Sequence, residues 1–245
     1  MLDSAWQDTM RHLILFDVDG TLLSTNGHAG EALGMALHET FGTKGPIEHY
    51  SWAGKTDPQI VYELLAGAGI SRAEVTPKLP EIFERYCGHL TRKLSPANTQ
   101  PLAGVPEVLE HLCRRRDVAV GLLTGNIRRG ADIKLRVAGL AGSFEVGAYG
   151  SDEEDRNRLV AVARARARER WGEEFPGART VVVGDAEADV RCARAGGARA
   201  VAVASGQTAR ATLATMKPDA LLDSLASPLA LHALLGPDGP ATGRI

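Results

Sequence analysis

The chain has 245 residues, which on the ~150-residue domain prior means one large domain, or a core carrying a smaller insert. Hydrophobic residues make up 44% and charged residues 24%, ordinary globular usage that excludes a wholly disordered chain. The 28 Lys and Arg nearly cancel the 30 Asp and Glu, for a formal net charge of -2, so the balance supports neither a nucleic-acid partner nor a polyanionic tail.

The three cysteines, Cys87, Cys113 and Cys192, lie far apart and form no CxxC pair. That spacing excludes a disulfide framework or a zinc site built on paired cysteines, and it suits a reducing compartment. Asp3, Asp8, Arg11 and His12 precede the first apolar run, which is too short for a signal-peptide core. No run approaches the ~18 apolar residues of a membrane span. A cytoplasmic protein without a membrane partner is the expectation.

In chain order, short and solidly apolar runs alternate with helical patterns. The runs are Leu13–Phe16, Val118–Leu123, Thr180–Val183 and Ala200–Ala204. Continuous rather than alternating hydrophobicity predicts strands buried on both faces, hence a parallel sheet. Between them lie predicted helices at Val105–Arg116, Arg128–Ala138, Arg156–Trp171 and Ala186–Ala195. Gly139 and Gly196 stand where two of them should stop. This alternation predicts a doubly wound α/β core. From about Asn26 to Ala97 the pattern reads as helices only: Ala29–Phe41, Pro58–Gly67 and Pro80–Ser95. Roughly 70 residues are too many for a simple crossover, so an inserted helical cap is expected over 26–97, with the core formed by 1–25 and 98–245. The tail from Gly236 to Ile245 is expected to fray.

Acidic residues cluster at predicted strand ends. Asp17-Val18-Asp19-Gly20-Thr21 follows the first strand, and Gly184-Asp185, with Asp189 four residues on, follows the third. Open α/β sheets place ligands outside the carboxyl ends of their strands, and carboxylates gathered there repel one another unless a cation joins them. Hard oxygen ligands of this kind suit Mg²⁺, and a carboxylate can also accept a phosphoryl group. The second strand ends in Thr124-Gly125-Asn126, a hydroxyl and open backbone N–H groups suited to phosphate oxygens. Singly, each is an ordinary turn or cap signal; together and in order they point to one site.

With these motifs the chain resembles the haloacid dehalogenase-like (HAD) superfamily. Asp17–Thr21 is similar to its first motif, Thr124 to its second, and Gly184-Asp185-x-x-x-Asp189 to its fourth. The helical insert lies where many HAD phosphatases carry a cap, and Ala53-Gly54-Lys55-Thr56-Asp57 resembles a cap loop of phosphoglycolate phosphatase-like members. The resemblance implies a Rossmann-like core and a Mg²⁺-dependent phosphomonoester hydrolase acting on small phosphorylated metabolites. By that resemblance Asp17 is the nucleophile and Asp19 the general acid and base, its backbone carbonyl also touching metal. Thr124, Gly125 and Asn126 would hold the phosphoryl group, and Asp17, Asp19 and Asp185 the metal. Asp189 would be either a ligand or a partner of one. Asp19 favours a phosphatase over a dehalogenase, since the dehalogenases lack that carboxylate.

The chain departs from the family at the third motif, where a Lys is usual and the matching region reads Asp155-Arg156-Asn157-Arg158. Arg156 has the best spacing for the cation that offsets phosphoryl charge; Lys134 and Arg158 are its rivals. Lys55, beside a helix start, is the expected contact for an anionic substrate tail. The alternating Arg164, Arg166, Arg168 and Arg170 are expected to form a solvated face. Two other readings share these motifs: a phosphomutase of the β-phosphoglucomutase type, and a phospho-accepting receiver-like switch.

Overall fold

The computed structural model describes residues 11–236. The acidic residues near the start, Asp3 and Asp8, and the tail beyond Gly236 lie outside the described residues.

The chain opens with strand β1 (His12–Phe16), a two-residue strand β2 (Leu23–Ser24) and helix α1 (His28–Phe41). Helices α2 (Asp57–Ala66), α3 (Arg72–Val75) and α4 (Leu79–Lys93) follow, and β3 (Gln100–Pro101) returns to pair antiparallel with β2. Then come α5 (Val105–Cys113), β4 (Val118–Thr124), α6 (Arg128–Val137) and β5 (Val146–Tyr149). The last third holds α7 (Leu159–Trp171), β6 (Thr180–Gly184), α8 (Glu187–Ala195), β7 (Arg199–Val203), α9 (Arg210–Thr215), β8 (Ala220–Leu222) and α10 (Ala230–Leu235).

Six strands form one parallel sheet in the order β5-β4-β1-β6-β7-β8. The apolar run of β1 shows why the sheet is covered on both sides. Ile14 and Phe16 pack with α5 and α10 residues such as Leu109 and Leu234, while Leu13 and Leu15 pack with α7 and α8 residues such as Ala163 and Val190. All four β1 side chains are fully buried. The chain progresses outward from β1 through β4 to β5, then returns to the other side of β1 with β6. That reversal opens a crevice at the carboxyl ends of the three central strands.

Helices α1, α2 and α4 build a third apolar cluster, with Leu33, Leu37, Leu64, Ile82 and Leu90 at its centre. Ile127, just before α6, belongs to the same cluster. Thr56 caps α2 by accepting from the Gln59 N–H at 3.4 Å, with Pro58 in the first turn, as the sequence suggests.

Four details differ from the sequence reading. Just outside the 26–97 stretch read as helical, an unforeseen β2–β3 pair closes the root of the helical segment, in two-residue strands too short for any period to reveal. Strand β5, Val-Gly-Ala-Tyr, lacks a continuous apolar run, and β8 is a three-residue edge. Arg156–Arg158 form a 3₁₀ turn, so the helix starts only at Leu159. The arginines of α7 are not simply solvated. Arg166 pairs with Asp152, Arg168 with Glu174 and Arg170 with Glu145. Arg164 donates to Thr180 Oγ1 at 3.1 Å and to the Gly196 carbonyl at 2.7 Å. Their charges meet loops on either side of the helix that a single-helix pattern does not display.

Candidate active site

Three consecutive positions in the sheet order deliver the site: the ends of β4, β1 and β6. Past β1, the Asp17 N–H continues the ladder to the Val183 carbonyl at 2.9 Å, so the Asp17 side chain leaves the sheet at its carboxyl edge. Gly20 follows with φ +82°, and a Cβ there would stand 2.6 Å from Asp185 Oδ2. Glycine is required at that turn both for its backbone and for its missing side chain. Thr21 Oγ1 donates to Asp185 Oδ1 at 3.1 Å, and Ser205 Oγ, in the loop after β7, donates to the Gly20 carbonyl at 2.8 Å.

Asp17, Asp185 and Asp189 are buried, with one carboxylate oxygen of each lying within 4.8 Å of the others. Burial pushes the Asp17 carboxyl up to about 6 against the opposing pull of Arg156, and pushes Asp185 up to about 8, with the Asp17 and Asp189 charges adding to the rise. A cluster of this kind fits a small divalent cation. The two carboxylates of Asp17 and Asp185 suit such an ion best. Asp189 has further partners: Oδ1 accepts from Arg156 Nη2 at 2.5 Å and Oδ2 accepts from the Ala186 N–H at 2.9 Å.

Arg156 is buried, 2.5 Å from Asp189 and 3.1 Å from Asp17 Oδ1. Burial alone would lower its pKa, but Asp189 and Asp17 more than offset this and raise it. The Cys192 thiol donates to the Arg156 carbonyl at 2.9 Å, fixing the backbone from which the guanidinium extends. Arg158, two residues on, is 69% exposed and reaches only Glu153 and Asp155 at 3.8 and 3.9 Å. Of the three cations weighed for the third motif, Arg158 is therefore the one the structure does not bring to the carboxylates.

Lys134 forms a second charged centre. Its side chain is 3% exposed, and Nζ donates to Asp19 Oδ2 at 2.7 Å and to Asn126 Oδ1 at 2.6 Å. Asn126 Nδ2 donates in turn to Asp19 Oδ2 at 2.7 Å and to Thr124 Oγ1 at 2.8 Å. Thr124 accepts also from the Asn126 N–H at 3.3 Å, which leaves the hydroxyl proton to be donated outward. The two aspartates of the first motif thus face different cations, Asp17 toward Arg156 and Asp19 toward Lys134. Helical periodicity places Lys134 two turns beyond Asn126, but its burial against Asp19 depends on how α6 packs.

The loop before α2 closes over this region. A Cβ on Gly125 would stand 2.0 Å from the Lys55 carbonyl and 3.0 Å from Arg156 Nη1, so glycine alone admits the crossing. The Asp57 N–H donates to the Gly125 carbonyl at 2.7 Å, and Asp57 Oδ2 accepts from the Ile127 N–H at 2.8 Å. Lys55 Nζ lies 2.5 Å from Glu63 Oε2 and 3.2 Å from Tyr50 Oη. Its charge is engaged within the helical segment, on the wall of the cleft. Sequence reasoning passed over Ser205 and Gly206, where a Cβ would stand 1.7 Å from Asp185 Oδ2, and quoted Asp57 only within the cap-loop resemblance. The first two follow the Ala200–Ala204 run, so the strand-end rule could have found them; nothing in the sequence marks Asp57 as buried.

Asp57 allows a pH prediction. Burial raises its carboxyl from 3.8 to about 6, opposed by Lys134 and the Ile127 N–H. A raised folded-state pKa means stability that is present below about 3.8 and lost as pH rises through about 6. Asp57→Asn keeps an acceptor for Ile127 and removes the buried charge. Thermal melts should show the variant more stable than wild type at pH 7.5, by up to ~3 kcal/mol, and no more stable at pH 4. A constant difference at both values would refute the assignment.

Comparison with known proteins gives the family. The family model described as "Haloacid dehalogenase-like hydrolase" matches residues 14–203. The chain is similar to a phosphoglycolate phosphatase of Synechococcus elongatus, 29% identical over 219 residues, covering 86% of this chain and 92% of that one. A phosphoglycolate phosphatase of Pseudomonas fluorescens is 25% identical over 224 residues, covering 87% and 76%. Among solved structures, CbbY from Rhodobacter sphaeroides in complex with phosphate superposes with a TM-score of 0.65 at 19% identity, covering 92% of this chain and 99% of that one. A predicted phosphoglycolate phosphatase from Haemophilus somnus gives 0.66 at 18% identity, covering 90% and 96%. With the family model spanning well over half of the residues, the chain belongs to the haloacid dehalogenase-like hydrolase family.

Proposed function

We propose that this hydrolase of phosphate monoesters is Mg²⁺-dependent and works through a phospho-Asp17 intermediate on small phosphorylated metabolites. The observation that carries the reading is the division of the two first-motif aspartates between two buried or half-buried cation pairs. Such a division of surroundings is how two carboxylates take separate acid–base and nucleophilic roles.

In this reading an oxygen of Asp17 attacks phosphorus and the ester oxygen leaves with a proton from Asp19. Water, deprotonated by Asp19, then attacks phosphorus and returns the Asp17 carboxylate. Thr124 donates its hydroxyl proton to a phosphoryl oxygen, beside the backbone of Gly125 and Asn126. Arg156 offsets phosphoryl charge from the Asp17 side. When bound, Mg²⁺ would be held by Asp17, Asp185 and the Asp19 carbonyl, and would neutralise charge shared between carboxylate and phosphoryl oxygens. Asp189 anchors Arg156 through one oxygen and accepts from the Ala186 N–H through the other, as a partner of the metal-holding carboxylates. Lys55 enters substrate binding only by exchanging Glu63 for an anionic substrate group. The unit boundary, with 26–97 as cap and 1–25 and 98–245 as core, is part of the same proposal; the β2–β3 pair and the separate apolar cluster of α1, α2 and α4 support it.

Phosphate release from a panel of phosphomonoesters with and without Mg²⁺ tests the reading; a phosphorylated hexose that is isomerised rather than hydrolysed would favour the mutase instead. A receiver-like switch would hold its acyl phosphate, and rapid turnover of an aryl phosphate excludes it. Metal binding has its own test. Saturating Mg²⁺, at a hundredfold excess over Kd, stabilises by ~2.7 kcal/mol, which in a chain of this size raises Tm by roughly 5–10 °C. Asp185→Asn should abolish most of that gain, and an unchanged gain would remove Asp185 from the metal site.

A further inference from the structure

The cleft is larger than the ester chemistry needs. A cavity of about 930 Å³ runs from Asp17 and Asp185 outward between α1 and the 44–55 segment. That is the upper end of the ~300–1,000 Å³ range for small-molecule sites, and a phosphorylated two-carbon acid would leave most of it to water.

The outer wall mixes the apolar Met35, Ile47 and Trp52 with the charged Glu31, Lys44 and Glu48, and two glycines of α1 let the 44–55 segment pack close against the helix. A Cβ on Gly30 would meet the Trp52 ring at 3.3 Å, and one on Gly34 would meet Ile47 Cδ1 at 3.0 Å. Both glycines lie inside α1, where glycine is less favourable than alanine, and both line the cavity. Trp52 is half-buried and braced. Its ring meets Tyr50 edge-on, with centroids 5.2 Å apart and an angle of 83°. Tyr50 is fixed in turn, donating its hydroxyl to Glu63 at 2.8 Å, with the Lys55 ammonium 4.2 Å from its ring centre. A rigid indole on the wall of a cavity this size gains from stacking with any flat π-face.

We propose that the preferred substrate is a phosphomonoester whose alcohol carries a flat, ring-sized group that packs against Trp52 beside Gly30. The proposal rests on the phosphatase reading above and adds the class of leaving group. The Lys55–Glu63–Tyr50 contacts then hold the wall against which that group lies.

The test compares phosphoglycolate with a nucleoside 5′-monophosphate as the ring-bearing probe. Calorimetry on Asp17→Asn with Mg²⁺ should give at least tenfold tighter binding of the ring-bearing ester, and wild-type kcat/KM should favour it likewise. Trp52→Ala should lower that ratio at least fivefold. Trp52→Leu, which keeps apolar bulk at the half-buried position but removes the flat ring, should lower it as well and keeps the test open should Trp52→Ala fail to fold. Phosphate release with no preference for the ring-bearing ester, or a ratio unmoved in both variants, overturns the proposal alone. Phosphate release from neither ester overturns the phosphatase reading and the proposal with it.

Discussion

Asp17→Asn should lower phosphate release by about four orders of magnitude or more, the scale seen when a covalent nucleophile is removed, while making the metal-free protein harder to melt. The two effects share one cause. Asp17, Asp185 and Asp189 sit together in a buried pocket against the single guanidinium of Arg156, and burial holds the Asp17 carboxyl above its ordinary range. Replacing one carboxylate with an isosteric amide removes repulsion at the cost of the nucleophile, the familiar exchange of activity for stability at a strained site. Steady-state phosphate release and thermal melts in chelator measure both. Near-full turnover in the variant would refute the covalent mechanism, and a lowered Tm would refute the repulsion argument.

The two buried cations should separate by both magnitude and substrate dependence. Arg156→Ala should reduce kcat/KM by ~10²–10³, as for loss of a donor aimed at transition-state charge. It also leaves Asp17 and Asp189 buried without their partner, a change that costs ~3–5 kcal/mol in such pairs. Arg156→Lys should recover part of both losses, because a point charge replaces the planar fork incompletely. Lys134→Ala should cost about tenfold on aryl phosphates, because Asp19 is 41% exposed and water can replace the lost donor. Its cost should grow on alkyl esters, whose poor leaving oxygen needs the Asp19 proton most. Equal losses on both ester types would take Lys134 away from Asp19's role. A larger loss in Lys134→Ala than in Arg156→Ala would hand it the phosphoryl charge.

The parallel α/β core is legible in the chain alone, because strands buried on both faces must be apolar throughout, and Leu13–Phe16 and Val118–Leu123 are. The strand-end aspartates and Thr124 are legible for a related reason: polar residues directly after such runs have few places to go except the carboxyl edge of the sheet. The helical insert showed in its length and in the caps at Thr56 and Pro58. Other features belonged to the tertiary structure. The short strands β2, β3 and β8 are held by pairing partners rather than by their own pattern. Lys134 reads as one more charged residue on a helix, and only the packing of α6 buries it against Asp19. Asp189 has the spacing of a ligand, and only the folded chain shows that its oxygens also accept from Arg156 and the Ala186 N–H. Lys55 has the setting of a substrate contact, yet Glu63, two turns along the chain, engages it first. Local sequence sets which residues stand at an edge; which charge meets which is decided by long-range packing, because an ion pair depends on distances that no single element controls.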